Sequence, residues 1–179
     1  VATDGLAISV VISGDGNTAF VADYEGGLQI IDVSDISNPT LLSTLDTDGL
    51  AFDVAISGDG NTAYVADEEF GLQIVDVTDR SNPNLLSGFV TAGYAIGVAL
   101  SSDEKVIYVA DVSSLQIIDI SNVQSPALLG SFTTSGTAYG VTLSADEKTA
   151  FIAVDSAGLD IVDVSNSANP SLISTFDTT

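Results

Sequence analysis

Apolar and polar residues alternate in short blocks along the whole chain. Blocks rich in Val, Ile, Leu, Tyr and Phe are separated by clusters of Gly, Asp, Asn, Ser and Pro. The apolar blocks predict β-strands, because branched and aromatic side chains fit a pleated surface, and the clusters contain the residues that form turns. No long stretch has apolar residues at helical spacing. The pattern therefore predicts an all-β protein.

This pattern repeats with a period of about 44 residues. The same proline-containing turn recurs in four successive copies, at Pro39, Pro83, Pro126 and Pro170. The chain is therefore interpreted as a single array of four repeats. We place them at approximately residues 3–46, 47–90, 91–132 and 133–179.

Each repeat is predicted to form one four-stranded antiparallel sheet. In the second repeat the four strands are predicted at residues 51–56, 62–66, 72–77 and 84–90. The strands are apolar at nearly every position, as in AYVA at residues 63–66, which indicates a sheet covered on both faces. Sheets stacked face to face provide this cover, so the sequence predicts the blades of a β-propeller.

One aromatic residue recurs at the same place in the second strand of every repeat. We expect this large apolar side chain to fill the space between neighbouring sheets. The four residues are Phe20, Tyr64, Tyr108 and Phe151.

The third strand and the turn after it give the most specific signal. In the four repeats they read LQIIDVSDISNPTLL, LQIVDVTDRSNPNLL, LQIIDISNVQSPALL and LDIVDVSNSANPSLI. These segments resemble the signature of the LVIVD-repeat β-propellers, and the resemblance covers essentially the whole chain. It implies an exported protein, extracellular or on the cell surface, that acts as an interaction module. It implies no shared catalytic residue.

The fourth repeat keeps the apolar pattern of the second and third. Open repeat arrays normally end in a repeat with a polar outer face. We therefore expect the outer faces to be covered by further repeats or by a second chain, in preference to closure of a four-bladed ring. A homo-oligomer that completes the ring or the array is one expected assembly.

Acidic residues outnumber basic ones by 25 to 3, which gives a net charge of −22. A mean hydropathy of +0.40 nevertheless predicts a folded chain. A surface of this charge repels phosphate groups, so nucleic acid is not an expected partner. No apolar run is long enough to predict insertion into a membrane.

The chain contains no His, Cys, Met or Trp. This composition excludes zinc sites built from His or Cys, and it excludes imidazole base catalysis. The innermost strands offer one carboxylate at four equivalent positions, which are Ser9, Asp53, Gly97 and Gly140. One carboxylate makes a poor metal cage. We therefore predict a protein that is not an enzyme and requires no cofactor, with a metal-dependent hydrolase or lactonase as the least favoured alternative.

The loops of an antiparallel blade fall at two opposite edges. Loops after the first and third strands form what we call the turn edge, which is nearly constant between repeats. An Asp starts each turn after a third strand, where its side chain commonly accepts hydrogen bonds from the backbone of the turn. The alternative is that these carboxylates coordinate calcium. The four are Asp32, Asp76, Asp119 and Asp163.

Loops after the second and fourth strands form what we call the loop edge, which varies between repeats. Rigid scaffolds carry function on such loops, although free positions also vary without purpose. The predicted partner-binding residues are Tyr24, Glu25, Leu50, Glu68, Glu69, Phe70, Tyr94 and Asp155.

Architecture and charge together predict an exported, non-enzymatic module. We expect it to bind a protein partner or further copies of itself. A calcium-dependent adhesion module is the alternative, and a chelator would discriminate between the two.

Overall fold

The computed structural model describes residues 5–178, which contain fifteen β-strands and no α-helix. The predicted all-β fold is therefore confirmed. Blade 1 consists of β1 (Ser9–Ile12), β2 (Thr18–Ala22), β3 (Leu28–Asp32) and β4 (Thr40–Leu45). Blade 2 consists of β5 (Ala51–Ile56), β6 (Thr62–Asp67), β7 (Leu72–Asp76) and β8 (Asn84–Phe89). The predicted array limits at residues 3 and 179 lie outside the described residues.

Blades 3 and 4 share a strand. They contain β9 (Gly97–Leu100), β10 (Val106–Ala110), β11 (Val112–Asp119), β12 (Ala127–Leu143), β13 (Thr149–Val154), β14 (Gly158–Asp163) and β15 (Ser171–Phe176). The first part of β12 pairs with β11 and its last part pairs with β13. Strand β12 is thus the outermost strand of blade 3 and the innermost strand of blade 4, and the two blades form one seven-stranded ladder.

The blades are antiparallel meanders in which each strand pairs with the next one along the chain. Their innermost strands contact one another in the order β1, β5, β9 and β12. The strand ends predicted for blade 2 agree with the structure to within one residue. No helix in residues 5–178 is long and apolar enough to cross a membrane.

The turn between the first two strands of each blade is held by its own side chains. In blade 2 the Ser57 hydroxyl donates to Asp59 at 2.7 Å, and the backbone N–H of Thr62 donates to the Ser57 oxygen at 2.9 Å. The same pair of contacts recurs in the other three blades. These contacts within the turn favour the reversal of the first strand into the second. The next blade adds an acceptor in two cases, since the N–H of Gly58 donates to Glu104 and the N–H of Ser102 donates to Glu147.

The core lies between blades, where the apolar face of one sheet packs on the next. Blades 1 and 2 enclose one cluster, blades 2 and 3 a second, and blades 3 and 4 a third. The predicted aromatic plugs Phe20, Tyr64 and Tyr108 are all buried in these layers. Phe151 is only half-buried, because no blade covers the outer face of blade 4 within residues 5–178.

Replacing Tyr64 by Ala tests the role of this aromatic layer. Tyr64 is 2% exposed, and we expect its truncation to lower the free energy of unfolding by about 3 to 5 kcal/mol. Urea denaturation followed by circular dichroism would measure the loss. The matched control is Tyr94→Ala, which removes the same atoms from a side chain that is 52% exposed and should change stability by less than about 1 kcal/mol. Equal losses in the two variants would contradict the packing described above.

Candidate functional site

The four blades stand in an arc around their innermost strands. Of the four equivalent positions on these strands, only Asp53 carries a carboxylate, and it joins neighbouring blades. Asp53 accepts a hydrogen bond from the Ser9 hydroxyl at 2.6 Å and another from the backbone N–H of Val98 at 2.9 Å. It therefore links the innermost strands of blades 1, 2 and 3. A carboxylate occupied by these two donors joins blades and is poorly placed to act as a lone metal ligand.

Gly97, at the equivalent position of blade 3, allows blades 3 and 4 to approach closely. A Cβ atom at Gly97 would lie 2.8 Å from the carbonyl oxygen of Tyr139 and 2.9 Å from the Cα of Gly140. A side chain is thus excluded at Gly97, whereas a Cβ atom at Gly140 would have no other atom within 4 Å. Between residues 5 and 178 no three acidic side chains come close enough together to hold a metal ion.

A second row of carboxylates is buried at the loop edge, and the sequence did not single it out. Asp67 accepts the Thr47 hydroxyl at 2.6 Å and the Gly49 N–H at 3.0 Å, which ties the start of blade 2 to the loop after its second strand. Burial raises the pKa of the Asp67 carboxyl, and the two hydrogen bonds oppose this rise. Asp23 and Asp111 accept the equivalent glycine N–H groups in blades 1 and 3.

Blade 4 makes the same connection from a different position. Val154 stands where the other blades have this Asp, and Asp160 stands where they have Gln. Asp160 is buried and accepts the backbone N–H and the hydroxyl of Ser135, both at 2.8 Å, together with the Thr175 hydroxyl. In blade 4 the carboxylate therefore lies on the neighbouring strand, but it still accepts hydrogen bonds from the segment that starts the blade. This indicates a structural role for the whole row.

The four candidate calcium ligands lie apart from one another, one at each turn after a third strand. Each accepts the backbone N–H of the residue two positions later, at 2.8 to 2.9 Å. Hydrogen bonds from that Ser or Thr hold the pKa of each carboxyl below its usual value. These are Asp32, Asp76, Asp119 and Asp163. Their geometry is that of turn-forming residues, and calcium binding stays a hypothesis.

The loop edge brings its predicted residues together across the blade boundaries. Tyr24 and Ala51 exchange two backbone hydrogen bonds of 3.0 and 3.1 Å, and Glu68 and Ala95 exchange two of 3.2 and 2.9 Å. Leu50 therefore lies beside Tyr24, and Tyr94 beside Glu68. The bridging residues have positive φ, 52° at Tyr24 and 44° at Glu68, a conformation that costs energy for a residue with a side chain.

Side chains at the loop edge differ in how far they reach solvent. Tyr24 and Leu50 are half-buried, and the Tyr24 ring meets the Phe52 ring edge-on at 5.3 Å. Glu68 and Phe70 are half-buried as well. The exposed members are Glu25, Glu69, Tyr94 and Asp155. Part of the variable edge thus joins one blade to the next, and its role in partner binding stays a prediction.

Blade 1 has an uncovered apolar face that we call the leading face. Val10 is 61% exposed there, whereas the equivalent Val54 of blade 2 is 5% exposed because blade 1 covers it. A shallow groove of about 320 Å³ runs over Val10 and Val21. The leading face consists of Ala7, Ile8, Val10, Ile12, Val21, Ile31 and Val33.

Blade 4 has the opposite uncovered face, which we call the trailing face. Phe176 is 65% exposed on it, whereas the equivalent Phe89 and Phe132 pack against the next blade. The trailing face consists of Phe151, Ala153, Leu159, Ile161 and Phe176. Sequence reasoning anticipated that the outer faces are apolar, but of these residues it named only Phe151, as a side chain that fills the space between sheets. Aligning the four repeats position by position would have found them.

Four blades stacked face to face around innermost strands define the chain as a β-propeller. The LVIVD repeat profile matches four times, at residues 4–47, 48–91, 92–134 and 135–178. The chain therefore belongs to the LVIVD repeat family, and the predicted resemblance is confirmed. No curated protein matches the chain.

Solved structures similar to the chain are β-propellers. A functionally unknown protein from Desulfotomaculum acetoxidans has a TM-score of 0.80 at 18% identity, over 96% of this chain and 56% of its own. The periplasmic gluconolactonase of Pseudomonas aeruginosa has a TM-score of 0.79 at 15% identity, over 96% and 57%. The β-propeller domain of Cps50 from Myceliophteria thermophila has a TM-score of 0.75 at 13% identity, over 95% and 57%. The chain thus spans about half the length of these propellers, and the likeness shows the fold alone.

Asp76→Asn tests whether the turn carboxylates act as hydrogen-bond acceptors for the fold. The pKa of Asp76 is lower in the folded chain than its usual 3.8, so its charged form stabilises the fold above that pH. We expect the variant to be less stable than the parent chain at neutral pH. The difference should shrink as the pH falls below 3.8 and vanish below the folded pKa. Urea denaturation between pH 2 and 7 would measure it, and a difference that does not shrink as the pH falls below 3.8 would contradict this role.

Proposed function

We propose that this chain is an exported, non-catalytic structural module that associates with another β-propeller blade through its two uncovered faces. The association extends the stacking that already joins its four blades. The two uncovered faces are sufficient for this function, which requires no catalytic residue and no cofactor.

One comparison carries the proposal. Ala51, Ala95 and Ala138 occupy the same position at the start of successive blades, and all three are completely buried under the preceding blade. Ala7 occupies that position in blade 1 and is exposed. On the trailing side, Ala153 is exposed where Ala22, Ala66 and Ala110 are completely buried. Both faces therefore carry the residues of a buried layer between blades, although they are exposed in the single chain.

The chemistry of the two faces suits association with protein. None of the residues that define them is charged, although the chain as a whole carries a net charge of −22. Exposed apolar surface of this kind marks contact sites between proteins. Burying each large side chain contributes roughly 1.5 to 3 kcal/mol, so several together can hold a stable contact.

Export is supported by the LVIVD family resemblance. Digestion of intact producing cells with an added protease would test it. Degradation of the chain without lysis is the expected result, and protection until lysis would contradict export.

An enzymatic function is the competing proposal, because a similar propeller is named a gluconolactonase. In this chain the one inner carboxylate, Asp53, joins three blades, and there is no histidine anywhere. We expect no hydrolysis of glucono-lactone, with or without added divalent cations. Turnover that Asp53→Asn abolishes in a folded variant would overturn the non-catalytic proposal.

Calcium-dependent adhesion is a second competing proposal, and it predicts that a chelator dissolves the association. Blade-face association predicts the same mass in calcium and in chelator, because its contacts are apolar.

Two variants on opposite faces test the proposal. We expect the parent chain to sediment as a species heavier than its 18.2 kDa. Val10→Arg on the leading face and Phe176→Asp on the trailing face should each weaken association by about tenfold or more, because a charge would be buried without a partner. Sedimentation velocity over a concentration series would measure this.

The control is Val90→Arg, because Val90 is 72% exposed and lies on neither face. This variant should associate like the parent chain. Val10 and Phe176 are also largely exposed in the single chain, so circular dichroism should show both variants folded. A parent chain that stays at the single-chain mass at all concentrations would refute the proposed function.

A further inference from the structure

We infer that the partner of both faces is a second copy of this chain, and that two copies close one ring of eight blades. This inference rests on the proposed function, since it names the partner of the same two faces. In the ring, the trailing face of each chain packs on the leading face of the other. Such head-to-tail contacts form a closed assembly when their rotation completes a circle.

The contact between blades 1 and 2 serves as the template. Its buried layer is formed by Phe20, Ala22, Leu28 and Ile30 against Ala51, Val54, Val65, Val75 and Val77. The two uncovered faces present, at the equivalent positions, Phe151, Ala153, Leu159 and Ile161 against Ala7, Val10, Val21, Ile31 and Val33. The residue types agree at these nine positions except one, where Ile31 stands for Val75. Beside the layer, Phe176 stands where Leu45 packs at the internal boundary. The two faces of one chain are therefore complementary to each other.

The loop edge of blade 4 differs from the internal boundaries. The first two blade boundaries are bridged by paired hydrogen bonds at Tyr24–Ala51 and Glu68–Ala95. The equivalent residue in blade 4, Asp155, lacks the positive φ of Tyr24 and Glu68 and donates its backbone N–H to the Thr137 carbonyl of its own blade. The contact between two copies therefore rests on the apolar faces and on the turn edge.

A side chain at the turn edge gives the most specific contact. Arg80 of blade 2 places its guanidinium 5.1 Å from the centre of the Phe20 ring in blade 1. Ile36 is the equivalent residue in blade 1, and it is 87% exposed. The ring that it would cover is Phe151, on the trailing face of the second copy. An isoleucine this exposed on a turn is explained by such a contact.

A hydrogen bond accompanies this contact at the internal boundary. The Ser43 hydroxyl donates to the backbone carbonyl of Arg80 at 2.6 Å. Ser174 is the equivalent serine in blade 4. Closure therefore places the Ser174 hydroxyl against the carbonyl of Ile36 from the other copy.

Two arcs of four blades make a ring of eight, which lies within the range of about four to eight blades that propellers adopt. The chain covers 56% to 57% of three solved propellers, with TM-scores of 0.75 to 0.80. Four blades are thus somewhat more than half of those rings. A ring of two copies therefore requires a slightly smaller rotation between neighbouring blades than those propellers have.

The like charge of the two copies distinguishes this dimer from a complex with a basic partner. Each carries a net charge of −22, and the faces that meet are uncharged. Salt screens the repulsion between the copies and leaves the apolar contact intact, since the screening length falls from about 10 Å at 0.1 M to about 3 Å at 1 M. Association should therefore strengthen with salt, whereas association with a basic partner would weaken.

Sedimentation equilibrium of the 179-residue chain over a wide concentration range tests the ring. We expect the mass to rise to that of two copies and to stop there, and we expect the dimer to form at lower concentration in 1 M than in 0.1 M salt. A mass that keeps rising with concentration would overturn the closed ring and leave the proposed face-to-face association standing. A chain that remains single would refute both.

Three substitutions test the register of the contact. Ile36→Asp should weaken dimerisation by about tenfold or more, because it places a carboxylate on an aromatic ring. Ile36→Arg should leave dimerisation within about threefold of the parent chain, because arginine occupies this position on Phe20 at the internal boundary. Val90→Asp adds the same charge as Ile36→Asp away from both faces and should have little effect.

Ile36 is largely exposed in the single chain, so these variants report on the contact and not on folding. Equal dimerisation by Ile36→Asp and Val90→Asp would overturn the register proposed here. So would equal weakening by Ile36→Asp and Ile36→Arg, even if the dimer itself is observed.

Discussion

The packing of one apolar sheet face on the next is the constraint on which the rest of the structure depends. Each described blade is a sheet of four strands, with β12 shared between blades 3 and 4. A single sheet of this size cannot bury its two apolar faces by itself. Every core cluster therefore lies between blades and draws residues from two of them. The same requirement that joins blade to blade leaves two apolar faces at the ends of the arc, so stability and association come from one kind of contact.

The acidic residues are compatible with this packing because most of them are satisfied locally. Turn carboxylates such as Asp59 and Asp76 accept hydrogen bonds from residues two positions away. The buried Asp67 and Asp160 each join the loop edge of their own blade to the segment that starts it. Most of the negative charge therefore fixes turns and loops, and the three apolar clusters between blades contain no acidic residue.

The sequence predicted most of the fold because strands and turns are local. Periodicity located the repeats, and the alternation of apolar blocks with turn residues located the strands of blade 2 to within one residue. Two features could not be predicted this way. The continuous strand β12 depends on how blades 3 and 4 sit beside each other, and the half-buried state of Phe151 depends on which neighbour is missing. The candidate site was harder still, because the residues of the uncovered faces look like ordinary core residues in the sequence.

Strand β12 also sets how the arc responds to force. At the other two boundaries within the described arc the chain leaves one sheet through a loop, so neighbouring blades can be pulled apart at a connection outside the ladders. Between blades 3 and 4 the chain runs as one strand, hydrogen-bonded to β11 on one part and to β13 on the other. Tension along the chain there acts on the backbone hydrogen bonds of β12 as well as on the apolar layer between the two blades. We therefore expect these two blades to yield to force as one mechanical unit.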